Sequence, residues 1–81
     1  MLEKTIILKD FEAVKKFVDI VNEKPYDVEL LSGKYVINAK SIMGVFSLDL
    51  TKPLIMVAHT DSHAELLRQT AQFHYDEQAK K

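Results

Sequence analysis

Three groups of side chains in this sequence could do chemistry. His59 and His63 stand four positions apart with Asp61 between them, a spacing that invites a metal ion. Two imidazoles at that spacing converge on a metal only from one helical face. Here His59 closes an apolar, strand-like run and His63 opens a helical one, so both read as surface or capping residues and no metal site is expected. Asp10 and Glu12 resemble a carboxylate pair, yet acidic groups in the first turn of a helix are stabilised by unpaired N–H groups and the helix dipole without catalysis. Ser41 precedes another apolar run, where its hydroxyl can accept a backbone N–H as an N-cap, worth about 1 kcal/mol. His74 falls near the apolar side of the last helical stretch and reads as a packed or edge residue.

Composition narrows the setting for these groups. The chain has 81 residues, 47% of them hydrophobic, with 11 Lys and Arg against 12 Asp and Glu and no cysteine. A domain of this size buries only about 60% of its unfolded surface, so it needs a full apolar core, and this content supplies one. Without cysteine there is no thiol catalysis, Cys-ligated zinc or disulfide, and a reducing cytoplasm is the plainest setting. A net charge of −1 offers no basic footprint for nucleic acid. No apolar run approaches the roughly 20 residues needed to span a bilayer, and the first residues lack a signal peptide's basic-then-apolar order.

The elements that position the chemistry follow from periodicity. Thr5-Ile6-Ile7-Leu8 is short and β-branched and predicts a strand. Asp10 then caps a helix whose apolar stripe runs Phe11, Val14, Phe17, Val18 and Val21, until Pro25 stops it near Asn22 to Lys24. Asp27 to Leu30 alternates with period two, Ser32-Gly33 supplies turn residues, and Tyr35, Ile37 and Ala39 continue on a second strand, a hairpin. Ser41 to Leu48 predicts a short helix, although Gly44 inside it costs about 1 kcal/mol relative to Ala. Leu54 to Ala58 is continuously apolar and predicts a central strand. Ser62 and Glu65 have capping-box spacing and predict a helix from His63 to Tyr75 that buries Leu66 or Leu67, Thr70, Ala71 and Phe73. Phe17, Phe73, Tyr26 and Tyr35 are expected in the core or on sheet faces. The domain is expected to span 1–76, with 77–81 a polar tail. This β-α-β-β-α-β-α order is an α+β sandwich of four strands with helices on one face; pattern alone fits a ferredoxin-like βαββαβ sheet with an added helix almost equally well.

The short helix carries a further signal. Ile42, Met43, Val45, Phe46 and Leu48 surround nearly its whole circumference, but a helix lying on a sheet buries a single stripe. Some of these groups must face outward, where Met and aromatic side chains suit a partner surface.

The run Ile37-Asn38-Ala39-Lys40-Ser41-Ile42-Met43-Gly44-Val45-Phe46-Ser47-Leu48 closely resembles the regulatory-serine region of HPr, the small phosphocarrier of the bacterial sugar phosphotransferase system, and especially its Gram-positive forms and the catabolite-repression paralogue. The resemblance implies an HPr-like open-faced β-sandwich: a four-stranded, mostly antiparallel sheet of order 1-4-2-3 with three helices on one face. It implies that Ser41 is the target of an ATP-dependent HPr kinase/phosphorylase-like enzyme. It also implies that Lys40, Ile42, Met43 and Phe46 form a partner-binding patch, with Val45 and Leu48 facing the core, and that a transcriptional co-regulator is a partner. Phosphate on Ser41 would add about −1.5 to −2 charge at a helix N-terminus, which favours an anion.

The departure from the family is equally informative. Phosphate-carrying HPr proteins present Gly-Ile-His-Ala-Arg-Pro where the first strand gives way to the first helix. Here Asp10-Phe11-Glu12-Ala13 stands there, so Asp10 occupies a degenerate phosphocarrier position; no His precedes His59 and the only Arg is Arg68. Phosphoimidazole formation requires a neutral imidazole nitrogen. An acyl phosphate on Asp10 would meet Glu12 and no Arg or Lys within that motif. The resulting expectation is a cytoplasmic, non-enzymatic regulatory or interaction protein without cofactor, catalytic residue, nucleic-acid partner or membrane contact, a monomer or weak homodimer. Two alternatives stand beside it: a phosphocarrier using another acceptor residue, and a structural or self-associating relic.

Overall fold

The computed structural model describes residues 1–75; the expected tail at 77–81 lies outside the described residues. Four strands, β1 (Leu2–Ile6), β2 (Val28–Ser32), β3 (Tyr35–Asn38) and β4 (Leu54–Ala58), form one antiparallel sheet in the order β1-β4-β2-β3. Helices α1 (Phe11–Asn22), α2 (Ile42–Phe46) and α3 (Ala64–Gln69) join it, followed by a 3₁₀ turn at Ala71–Phe73. The architecture is the α+β open-faced sandwich expected, and the ferredoxin-like alternative is set aside by the strand order.

The core is built where the period-two and period-3.6 patterns meet. Val14, Phe17, Val18 and Val21 of α1 pack on Ile6, Val28, Leu30, Leu54 and Met56 of the sheet, with Val45, Leu66 and Phe73 closing the ends. Phe17 meets Phe73 edge to face, centroids 5.9 Å apart. The β2–β3 hairpin turns at Gly33-Lys34, and Gly33 has φ +61°, the left-handed value a type II′ turn needs at its first central residue.

Several boundaries differ from the sequence expectation. β1 runs Leu2–Ile6 rather than Thr5–Leu8, because its pairing with β4 starts at Leu2 opposite Ala58. Leu8 is still fully buried, but in the loop beyond the strand. α2 stops at Phe46, two residues before Leu48, and the Ser47 hydroxyl donates to the Gly44 carbonyl at 2.6 Å to close its end. Ser62 does not cap α3: its N–H is taken by Thr60 Oγ1 at 3.1 Å, and His63 holds the cap position without a side-chain hydrogen bond. α3 also ends early, at Gln69, where the Thr70 hydroxyl bonds back to the Leu66 carbonyl at 2.8 Å. Leu66, Thr70 and Phe73 are buried as expected, whereas Ala71 is exposed. Tyr35, expected in the core or on a sheet face, is 66% exposed at the sheet edge.

Candidate functional site

Ser41 and the residues around it are held from two sides. Ser41 has extended backbone (φ −98°, ψ 107°), and its Oγ accepts the Gly44 N–H at 3.1 Å, while its carbonyl accepts Val45 N–H at 3.0 Å. The hydroxyl is solvent-exposed and lies at the amino end of α2. A Cβ on Gly44 would sit 3.2 Å from Ser41 Oγ and 3.6 Å from Ile37 Cδ1, so glycine lets the helix close tightly under the cap.

The preceding residue is tied down more heavily. Lys40 N–H donates to Asn38 Oδ1 at 2.9 Å, its carbonyl accepts Asn22 Nδ2 at 3.0 Å, and its ammonium donates to the Lys24 carbonyl at 2.8 Å. The C-terminal end of α1 thus fixes the entry to α2. It also turns the Lys40 charge toward α1, so Lys40 stands beside the patch with its ammonium already engaged.

The apolar groups of α2, and Leu48 just beyond it, divide by depth. Val45 is fully buried, Ile42, Phe46 and Leu48 are half-buried against the core, and Met43 is 77% exposed. Phe46 stacks on Phe11 of α1, ring centroids 5.3 Å apart and planes 11° apart. Phe11 is 60% exposed, so it leaves the buried stripe expected of it and joins the outward surface. Ile42, Met43, Phe46 and Phe11 form an apolar patch beside the Ser41 hydroxyl. Phe11 is the member the sequence reading missed: at 100° per residue it lies about 70° from the centre of the α1 stripe, at its margin.

Asp10 N-caps α1, its Oδ1 accepting the Ala13 N–H at 2.9 Å. It borders a hollow of about 270 Å³ that Glu12, Lys9, Lys16 and Gln72 also line. Two lysines therefore flank Asp10, outside the short motif.

The histidines are separate. His59 Nε2 lies 3.0 Å from Glu29 Oε1, His63 Nδ1 is buried without a partner, and among the described residues no three His, Cys, Asp or Glu side chains group to hold a metal. His74 Nε2 lies 3.2 Å from Thr70 Oγ1. Because the Thr70 hydroxyl proton is committed to Leu66, His74 is read as the Nε2–H donor in that contact. Burial first, and then the Lys4 charge, push the His74 pKa down.

The strand order, helix placement and hairpin are those of the HPr fold. A solved structure titled HPr-C-His from Thermoanaerobacter tengcongensis has a TM-score of 0.74 to this chain, covering 89% of each at 24% sequence identity. No family model matches the sequence, and no curated protein matches it. Among the described residues no helix is long and apolar enough to cross a membrane.

Proposed function

We propose that this chain is a non-enzymatic, cytoplasmic, HPr-like regulatory protein that docks a protein partner through the α2 surface and is switched by phosphorylation of Ser41. The observation that carries this reading is the exposure of Met43, at 77%, beside the stacked Phe11–Phe46 pair and an exposed N-cap hydroxyl. An apolar surface next to a switchable charge lets one modification change what a partner meets: the phosphate adds oxygens for a partner's Arg or Lys to read. An HPr kinase/phosphorylase-like enzyme is the modifying partner and a transcriptional co-regulator the reader, both from the sequence resemblance.

A second reading draws on Lys9 and Lys16 beside Asp10: phosphocarrier chemistry through an acyl phosphate. Against it, the Asp10 carboxylate already caps α1 and Glu12 adds like charge. One experiment separates the two. The protein is incubated with phosphoenolpyruvate and the first enzyme of the phosphotransferase system, and separately with ATP and HPr kinase, and its mass is read. A stable adduct in the second tube, lost in Ser41→Ala, supports the regulatory reading. A labile adduct in the first tube, lost in Asp10→Asn, overturns it, and two unmodified tubes leave the fold as a relic.

A further inference from the structure

The helices cover one face of the sheet, into which Ile6, Val28, Leu30, Leu54 and Met56 point. Alternate residues point the other way. Strand pairing sets Thr5 beside Ile55, Ile55 beside Leu31 and Leu31 beside Val36, so a single row across the open face is apolar from β4 to β3. Ile55 is 39% exposed and Val36 59%. Val57, outward on β4 and only 5% exposed, lies outside the main core in the neighbouring row, between Glu3 and Glu29.

Charge is segregated on either side of the row. Toward one end the outward positions are Glu3 on β1 and Glu29 on β2, with Asp27 just before β2. Toward the other end stand Lys34 in the β2–β3 turn and Lys52 before β4, both exposed, Lys52 at 4.0 Å from Asp49. The apolar row lies midway between them.

We propose that this open face is a self-association surface occupied by a second copy of the chain, related by a twofold axis running across the strands along the Ile55–Leu31–Val36 row. That rotation reverses strand direction in the partner copy. It lays the apolar row on its own counterpart and brings the Glu3–Glu29 end of each copy over the Lys34–Lys52 end of the other, as an isologous contact requires. A twofold axis along the strands would instead stack acidic end on acidic end. The sheets would pack about 10 Å apart, as in aligned sandwiches. Four strands about 4.8 Å apart and five residues long at about 3.3 Å each give a footprint near 320 Å² per copy, well below the roughly 800 Å² per partner of a standard specific interface. The dimer is therefore weak, concentration-dependent and sensitive to salt.

The test is sedimentation equilibrium of the full chain from about 10 μM to about 1 mM, at low salt and in about 0.5 M salt, with circular dichroism as the check on folding. The wild type should dimerise at the top of the range and lose at least half of its dimer in high salt. Val36→Lys, at an exposed edge position, should weaken association at least tenfold. Lys34→Glu with Lys52→Glu, and Glu3→Lys with Glu29→Lys, should each be monomeric alone and dimeric as an equimolar mixture. A wild type that stays monomeric throughout overturns the proposal. So does a dimer that survives Val36→Lys but is lost in Met43→Lys, which would place the contact on α2, and so does a charge-swapped mixture that fails to associate.

Discussion

Asn22 Nδ2 bridges two carbonyls, that of Val18 within α1 and that of Lys40 eighteen residues further on, each at 3.0 Å. A single amide thereby ties the end of the longest helix to the residue before Ser41, one of three hydrogen bonds that hold the α2 entry.

Asn22→Ala should therefore cost about 1–2 kcal/mol, since it leaves the Lys40 carbonyl without its side-chain donor. Urea denaturation measures the loss. Hydrogen exchange should also quicken at Gly44 and Val45 more than in β4, and uniform quickening across the domain would refute a local tether.

Ser41→Ala removes the acceptor for Gly44 N–H and should lower stability by about 1 kcal/mol, a Tm drop of about 4–8 °C for a domain of this size. Ser41→Asp keeps a good N-cap acceptor and should stay within a few tenths of a kcal/mol of wild type. Thermal denaturation of the two variants distinguishes the cap from any effect of the added charge.

Gly44→Ala offers a contest between two terms. Alanine in a helix interior gains about 1 kcal/mol over glycine, but its Cβ meets Ser41 Oγ at 3.2 Å. The expected result is a net change within about 0.5 kcal/mol of zero together with a weakened cap, read as faster exchange at the residue 44 amide. The full propensity gain would show that the cap yields freely.

Met43→Lys and Phe11→Ala test the patch. Met43 is so exposed that its replacement should change stability by less than about 0.5 kcal/mol, while partner binding weakens at least tenfold, as for a residue at the centre of an interface. Phe11→Ala additionally loses its stack on Phe46, about 0.5–1.5 kcal/mol. Calorimetry against a transcriptional co-regulator of the kind proposed, with Ser41 phosphorylated, provides the binding measurement.

His74 gives the fold a defined pH dependence. Its pKa lies below the ordinary 6.5 in the folded protein, through burial and then Lys4, so the unfolded chain takes up this proton first. The stabilising contribution is complete above pH 6.5 and is lost as pH falls from there through the folded-state pKa. An NMR titration of the His74 ring should show a midpoint below 6.5, and His74→Gln should flatten the fall in stability over that window.

Sequence periodicity located α1, the hairpin and β4 because each has a pattern of one period and a strong stop: Asp10 and Pro25 around α1, Gly33 at the turn, continuous apolarity in β4. The pattern places β1 too late because Glu3 and Lys4 read as polar flanks although pairing with β4 recruits them, while Ile7 and Leu8 are apolar for packing rather than strand pairing with β4. The pattern carries α3 on to Tyr75 because Leu66, Thr70 and Phe73 keep helical spacing, yet the Thr70 hydroxyl bonds back onto the Leu66 carbonyl and the chain tightens into a 3₁₀ turn; at the start, Ser62 and Glu65 have capping-box spacing but the Ser62 N–H goes to Thr60. At the site, Ser41 as a cap and an outward-facing share of α2 were legible from the residue types. The Asn22–Lys40 tie and the Phe11–Phe46 stack were not, since both join residues far apart in sequence whose approach only the packed fold decides.

The chain after the 3₁₀ turn returns along β1: Ile7 N–H donates to the Phe73 carbonyl at 2.8 Å, His74 bridges Ile6, and Tyr75 N–H donates to the Thr5 carbonyl at 3.0 Å. Half of that border is thus already spoken for, and a foreign strand would find only Leu2 to Lys4 to grip among the described residues. The opposite border, β3, is four residues long. A sheet with one short open margin and one partly sealed can accept a neighbour strand on one side, but it has no second full margin from which to pass the pairing on. Open-ended fibril growth by strand addition is thereby disfavoured, even though Tyr35 and Val36 sit bare at the open side.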